Sequence, residues 1–526
     1  MGETAERAHT NGTNGHGTGT NGQPQNTIKS YAPATGELIG EVPVMSADQV
    51  RVAVAKARAA QRAWAALPVE ERCEQVLRYK DAIVERSDEI VDLLALECGK
   101  PKHEALAHEV LVVADIAAFF CKHAPRVLSP REVPLHLMLH RKAVLHYMPR
   151  GVIGVISPWN FPFQLPLRDI VMALIAGNAA VLKPSEVTPL IAMKAKQIWD
   201  DAGLPPDLFQ VVTGYGATGA ALIDAGIQFC VFTGGVSTGK RVAAACGERL
   251  IPCVMELGGK APFIACSDID VERTAKGLVY GGFTNCGQVC IAVERVYAHR
   301  EIHDRLLNRV VELTRELKVG DPSKEWVDVG AIIFPQQMDI ADKHIADALS
   351  KGARLEIGGK RRPGPGHFFE PTVLSNCDHS MSVMTGEIFG PIIPFMAVSS
   401  DEEAIALANE SHLGLNAYVF SGDRAHGTRV AERVEAGSVL VNDVVINGGM
   451  PEAPFGGIKQ SGFGRVMSEE SLREMCDVRH VNSERMAMPG DPFWFPYTEK
   501  SYNLFKKGMR AIFGGGSVVD RIKSIF

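Results

Sequence analysis

The sequence predicts an α/β chain of more than one domain, and three observations predict it. Between residues 143 and 250 short apolar runs alternate with segments of helical length, the pattern of βαβ units and a parallel sheet. A second run of the same kind begins near Cys253. The chain has 526 residues, too many for one core, with 46% hydrophobic and 22% charged residues. A net charge of −6 offers no basic surface for nucleic acid, so none is expected as a partner. No apolar run reaches the roughly 18 residues that a membrane span needs. The eleven cysteines show no disulfide-like or CxxC spacing, which fits reduced thiols in the cytoplasm and no metal site.

Residues 1–26 are rich in Gly, Thr and Asn and lack an apolar stretch, so a disordered tail is expected there. Short apolar stretches and turns from Ile28 to Val44 predict a hairpin. Ser46 with Gln49 reads as a capping box opening a helix that runs to Ala66. Glu70 to Cys98 has helical spacing throughout, and helix resumes from Glu104 to Ala124. Strands follow over 143–156, then a Pro-bracketed loop, Ser157-Pro158-Trp159-Asn160-Phe161-Pro162-Phe163. Helices at 167–176, 190–202 and 217–225 alternate with strands at 179–182, 209–213 and 229–232.

The last of these strands enters Thr233-Gly234-Gly235-Val236-Ser237-Thr238-Gly239-Lys240. This is neither GxGxxG nor a P-loop, because Arg241 follows Lys240. A strand-to-helix turn with glycines can still present backbone N–H groups to a phosphate, or can be only a turn. Lys183 and Glu186 at another strand end are either solvated charges or a grip on ribose hydroxyls. Glu256 closes an apolar strand before Gly258-Gly259; burial there would raise its pKa and suit it to general-base work, and a partly exposed edge carboxylate is the alternative. Cys290 sits in an apolar run after Gly287-Gln288, and both a core thiol and a nucleophile fit it. Cys286, four residues earlier, reads as a structural thiol.

Taken in order, Ser157-Pro158-Trp159-Asn160-Phe161-Pro162, Lys183-Pro184-Ser185-Glu186, Phe232-Thr233-Gly234, Glu256-Leu257-Gly258-Gly259-Lys260, Gly287-Gln288-Val289-Cys290, Glu387-Ile388-Phe389-Gly390-Pro391 and Pro454-Phe455-Gly456-Gly457 resemble the aldehyde dehydrogenase superfamily over residues 28–482. The resemblance implies a Rossmann-like NAD-binding domain (27–128 and 148–255) and a second α/β catalytic domain (256–445). It further implies a small β oligomerisation arm (129–147 and 446–490), leaving an extension at 491–526. By position, Cys290 matches the nucleophile, Asn160 the oxyanion-hole amide and Glu256 the base that activates water against a thioester. Ser157, Pro158, Trp159, Lys183, Ser185, Glu186, Gly216, Thr233, Gly234, Gly235, Gly239, Leu257, Glu387 and Phe389 match the cofactor cleft, while Phe161, Arg168, Val289 and Phe455 match the substrate pocket.

Two departures bear on chemistry. Gly235 stands where many members carry a serine that contacts the pyrophosphate, and Val289 where many carry a second cysteine. Glu186 favours NAD by repelling a 2′-phosphate, though similar members accept both cofactors, so NADP stays open. An apolar or aromatic aldehyde is the expected substrate; the alternative is a semialdehyde whose distal carboxylate Arg168 holds, unless Arg168 only bridges to Asp169. Glu256 argues against a CoA-acylating relative, and intact Cys290, Glu256 and Asn160 argue against a silent one. The resemblance implies a homodimer or homotetramer.

The extension carries aromatic residues at 493–497, and 499–526 holds six Lys/Arg against two Asp/Glu. Phe505, Met509, Ile512 and Phe513 share one helical face, as do Val518, Ile522, Ile525 and Phe526. Packing on a neighbouring subunit or over the substrate entrance is expected, with peripheral attachment to an anionic membrane as the alternative.

Overall fold

The computed structural model describes residues 26–486, 490–491 and 493–515. The expected tail up to residue 25, and Val518, Ile522, Ile525 and Phe526, lie outside the described residues. The chain divides into two units, one comprising Met1–Ser129 and Tyr147–Asp477, the other Pro130–His146 and Val478–Phe526.

The larger unit opens on the antiparallel hairpin of Thr27–Tyr31 and Leu38–Pro43. The capping box is present: Gln49 N–H donates to Ser46 Oγ at 3.3 Å, and Ser46 N–H to Gln49 Oε1 at 2.8 Å. The helix expected from Glu70 to Cys98 is two helices, Val69–Glu85 and Ser87–Cys98. Arg86 leaves helical geometry between them, its guanidinium reaching both Glu89 and the distant Asp201. Tertiary contact overrides periodicity here. The helix expected from Glu104 contains a π-helical turn, Ala105–Val110, before Leu111–Val127. Glu104 and Glu109, at the two ends of that turn, are both buried.

The first large sheet has the order Gly462–Phe463, Cys253–Glu256, Phe229–Thr233, Val152–Ile156, Ala179–Lys183, Phe209–Val211, parallel except for its first member. Chain order reverses between Val152–Ile156 and Phe229–Thr233, the switch point outside which doubly wound sheets bind ligands. The second sheet runs Arg354–Ile357, Thr372–Ser375, Ile392–Val398, Val293–His299, Ala261–Ala265, Asn416–Phe420, Ser438–Val441, and only its first pairing is antiparallel. The strand Cys253–Glu256 passes through Leu257-Gly258-Gly259-Lys260 directly into Ala261–Ala265, so this four-residue link joins the two sheets. Each sheet has its own apolar core.

The smaller unit carries Arg131–Val133 and most of Arg141–Pro149 and Cys476–Glu484, joined in a three-stranded sheet, and the helix Glu499–Phe513. Of the segment 446–490, residues up to Asp477 belong to the larger unit, where Gly462 and Phe463 pair with Glu256 and Met255.

Candidate active site

Two strand ends at the switch point carry the motifs that matter. Ser157 to Phe163 follow Val152–Ile156, and Gly234-Gly235 follow Phe229–Thr233. Gly235 heads the helix Val236–Gly247 without a side-chain cap, and a Cβ there would meet open space. The first N–H groups of that helix therefore face outward toward any anion. Gly239 is fixed by packing, because a Cβ would come within 2.3 Å of Leu257. Lys183 Nζ lies 3.3 Å from Glu186 Oε2 at the next strand end, and Ser185 Oγ accepts from Val187 N–H. Gly216 opens the helix Gly216–Asp224. Ser157 Oγ is buried with no hydrogen-bond partner, which is what a missing polar ligand leaves behind. An uncapped helix, an orphaned hydroxyl and a Lys–Glu pair fit a dinucleotide: pyrophosphate on the helix, ribose hydroxyls on the carboxylate. Trp159 and Phe389 meet edge to face at 5.4 Å between centroids, with Phe334 5.9 Å from Trp159.

The loop that leads to Cys290 is tightly determined. After the helix Val271–Phe283, three successive residues, Asn285, Cys286 and Gly287, take left-handed backbone angles (φ 48°, 56° and 72°). A Cβ at Gly287 would lie 2.2 Å from the Gly390 carbonyl, so that position admits only glycine. The strained turn is tied from inside: Asn285 Nδ2 donates to the carbonyls of Asn160 (3.0 Å) and Gln288 (3.2 Å), and Gln288 Nε2 donates to Asn285 O. Ile333 N–H donates to Gln288 Oε1. Asn160 turns its own amide to the same loop, donating from Nδ2 to Gln288 O at 3.0 Å. Cys286 is sealed in the core, while Cys290 is only half-buried and lines a cavity.

Glu256 is buried, and neither carboxylate oxygen has a hydrogen-bond partner. Burial pushes its pKa up to about 8, Arg168 and Arg465 pulling the other way. Burial, then Glu256 and Glu387, push the Cys290 thiol up to about 12. The thiol is therefore protonated at neutral pH, beside a carboxyl that becomes a proton acceptor as pH rises toward 8. The glycine pair after Glu256 makes this proximity possible. A Cβ on Gly258 would lie 2.6 Å from Glu387 Oε1, and one on Gly259 only 2.2 Å from the Cys290 carbonyl oxygen. Gly259 N–H also donates to Glu387 Oε1 at 3.2 Å. Burial raises Glu387 to about 8, with Glu294 reinforcing the shift.

Buried glutamates hold the site loops by their backbone N–H groups. Glu109 accepts from Phe163 (3.0 Å) and Gln164 (2.8 Å), so the helix after Asn160 starts at Gln164 rather than at the expected 167. It pairs with Lys100, whose Nζ donates to Asn160 O at 3.0 Å and lies 3.9 Å over the Phe161 ring. Glu104 accepts from Asn285 N–H at 2.8 Å and Thr284 Oγ1 at 3.0 Å. Glu294 accepts from Ile388 and Phe389 N–H and pairs with Lys260 at 3.1 Å. Glu97 accepts from Leu190 and Ile191 N–H, fixing the helix after Lys183-Pro184-Ser185-Glu186.

Cys290 and Glu256 share a cavity of about 350 Å³ whose wall is mostly apolar, including Phe161, Leu165, Val289, Ile291, Leu415 and Phe455. Thr233 and Leu257 also line it. Arg168 reaches this wall while fully buried and tied to Asp169, Nε to Oδ1 at 3.0 Å and Nη2 to Oδ2 at 3.4 Å. The bridge to Asp169 weighed in the sequence is present, and Arg168 borders the cavity as well. Polar groups at the same wall are His108 and Tyr280, hydrogen-bonded at 2.8 Å, with Gln164 and Asp443. Elsewhere Cys266, Asp401 and His426 gather within 4.8 Å, but His426 Nε2 bonds Asp401 Oδ2 at 2.7 Å as an ordinary polar pair.

The structure thus brings Cys290, Glu256, Val289, Phe161, Arg168, Phe455, Thr233 and Leu257 around one cavity, with Asn160 against the Cys290 loop. Sequence reasoning missed Lys100, Glu104, Glu109, Asn285 and Glu294. Lys260 stood in a quoted motif without a role. The available signal was charge inside apolar runs, as where Glu109 directly precedes Val110 to Val113.

The sequence profile described as the aldehyde dehydrogenase family matches residues 20–481. The chain is 38% identical over 498 residues to the 4,4'-diapolycopene aldehyde oxidase of a Methylomonas species, covering 94% of this chain and 93% of that protein. A Mycobacterium ulcerans protein with the provisional name succinate-semialdehyde dehydrogenase (NADP+) 2 is 37% identical, covering 88% of this chain and 90% of its own. The NAD+ complex of a Bacillus cereus aldehyde dehydrogenase superimposes with a TM-score of 0.84 at 31% identity, covering 88% of this chain and 94% of that one.

Proposed function

The chain belongs to the aldehyde dehydrogenase family, and from that premise we propose that it oxidises an apolar or aromatic aldehyde to the carboxylic acid with NAD, through a thioester on Cys290. The observation that carries the reading is Glu256, a buried carboxyl with no partner, in the same cavity as Cys290.

Each step follows from a named group. As the aldehyde carbon approaches Sγ, the thiol proton passes to an ionised Glu256, whose pKa of about 8 makes it a competent acceptor near neutrality. Sγ bonds the carbonyl carbon, and charge develops on the carbonyl oxygen. The Asn160 amide has a second N–H beyond the one given to Gln288 O, and with the Cys290 backbone N–H it forms the dipole pair for that oxygen. Such donors contribute about 2.7–4 kcal/mol each. A nicotinamide bound in the cleft supplies the hydride acceptor. Glu256 releases the thiol proton to solvent, takes a second proton from water as that water attacks the resulting thioester, and returns it to the departing thiolate as the acid leaves.

The cofactor is NAD(P), and NAD is the preferred form in this proposal because Glu186 stands where a 2′-phosphate would approach. Glu186→Gln should raise kcat/KM for NADP relative to NAD; a wild type that already uses both equally sinks the preference. A homodimer or homotetramer in the cytoplasm completes the reading, in keeping with eleven free cysteines.

A semialdehyde substrate is the second reading, favoured by Arg168 at the cavity wall. NADH formation with benzaldehyde and succinic semialdehyde, in wild type and Arg168→Ala, separates the two. Equal losses on both substrates fit an Arg168 that serves Asp169 alone. A loss confined to the semialdehyde makes Arg168 the carboxylate anchor.

A further inference from the structure

The helix Glu499–Phe513 is well specified and yet buries nothing. Thr498 caps it, accepting from Ser501 N–H at 3.1 Å while its own N–H donates to Ser501 Oγ at 3.0 Å. No residue of this helix is buried. Tyr502, Phe505, Met509 and Phe513 recur at helical spacing on one side, and Phe513 is 66% exposed. Lys506 borders that side, its Nζ 5.9 Å over the Tyr502 ring, Arg510 and Lys507 lie further round, and in residues 499–513 four Lys/Arg stand against one acid, Glu499.

The segment before the helix adds to the same apolar surface. Phe493 lies 4.8 Å from Phe505 between ring centroids, which joins the lead-in to the helix face. Phe495 and Tyr497 pair at 4.4 Å, and Phe495 is 80% exposed. Trp494 is exposed beside them.

We propose that this extension is a peripheral anchor for anionic lipid, lying in the bilayer interface with its aromatic and methionine face inward and its basic side chains among the headgroups. The composition selects lipid over a second protein. Cores of protein interfaces are depleted in lysine, whereas interfacial helices carry lysine and arginine along the apolar edge. Exposed Trp, Tyr and Phe match the amphipathic headgroup layer. Among the described residues no helix is long and apolar enough to cross a membrane, so attachment is to the surface. The inference stands whichever aldehyde is oxidised.

Sedimentation of the full chain with vesicles tests it. Wild type should pellet with phosphatidylcholine vesicles containing phosphatidylglycerol, pellet poorly with phosphatidylcholine alone, and be released by salt. The combined change Lys506→Glu, Lys507→Glu and Arg510→Glu should lower partitioning by roughly a hundredfold or more. Phe505→Ser with Met509→Ser, and a chain ending at Gly490, should also stay in the supernatant. All variants should keep wild-type turnover of a water-soluble aldehyde, which shows that they fold. Wild type remaining in the supernatant, or charge reversal without effect, overturns the proposal. So does a truncation whose only effect is a smaller oligomer, because the helix would then cover a second copy of the chain.

Discussion

By burial alone Glu256 would read as a core carboxyl and Cys290 as a half-buried thiol on a cavity wall. Their pairing is what gives them chemistry: an unpartnered carboxyl raised to about 8 beside a thiol raised to about 12. A base works in its ionised form, so hydrolysis should rise with pH by about tenfold per unit on the acid side and level off above about pH 8. The pH profile of steady-state kcat checks this where deacylation limits turnover, and a flat profile between pH 6 and 8 contradicts it. Gly259 supplies a second test at this scale. A Cβ would meet the Cys290 carbonyl oxygen at 2.2 Å, so Gly259→Ala must displace the nucleophile. The expected outcome is a fall in kcat of about a hundredfold with little change in cofactor affinity, read by turnover and by cofactor fluorescence titration.

Among the elements, the nucleophile loop depends most on distant help. Two non-glycine residues in left-handed geometry are unfavourable by themselves, and Glu104 meets the Asn285 N–H and Thr284 hydroxyl to hold them. Glu104→Ala leaves a buried N–H and a buried hydroxyl without their carboxylate, and should lower stability by about 2–4 kcal/mol with a matching loss of activity. Denaturant unfolding beside initial rates measures both. This is also where the sequence was least legible. The strands, the Ser46 box and the loops at Asn160, Glu256 and Cys290 were readable because periodicity, capping chemistry and motif spacing are local properties. The partners of Glu97, Glu104, Glu109 and Glu294 are backbone N–H groups tens to hundreds of residues away, and backbone groups leave no mark in a sequence. The break at Arg86 has the same origin, a side chain drawn to Asp201 across the fold.

In the larger unit, two mostly parallel sheets meet through Glu256–Lys260, which sets the proposed base, the close approach to Cys290 and the contact with Glu387 on one short link. The chain order of the first sheet places Ser157 to Phe163 and Gly234-Gly235 at its switch point, and the proposed reaction is assigned to the cavity that Cys290 lines. Membership of the family makes an aldehyde oxidoreductase of this chain; the covalent route is the central claim. Intact-protein and peptide mass spectrometry of Glu256→Gln, mixed with benzaldehyde and NAD, tests it directly. The account predicts one equivalent of NADH, formed more slowly than in wild type because the variant also lacks the acceptor of the thiol proton, and a mass gain of one benzoyl group on the peptide containing Cys290, with neither in Cys290→Ala. Turnover retained in Cys290→Ala, or one equivalent of NADH with the acyl group on another residue, would contradict it.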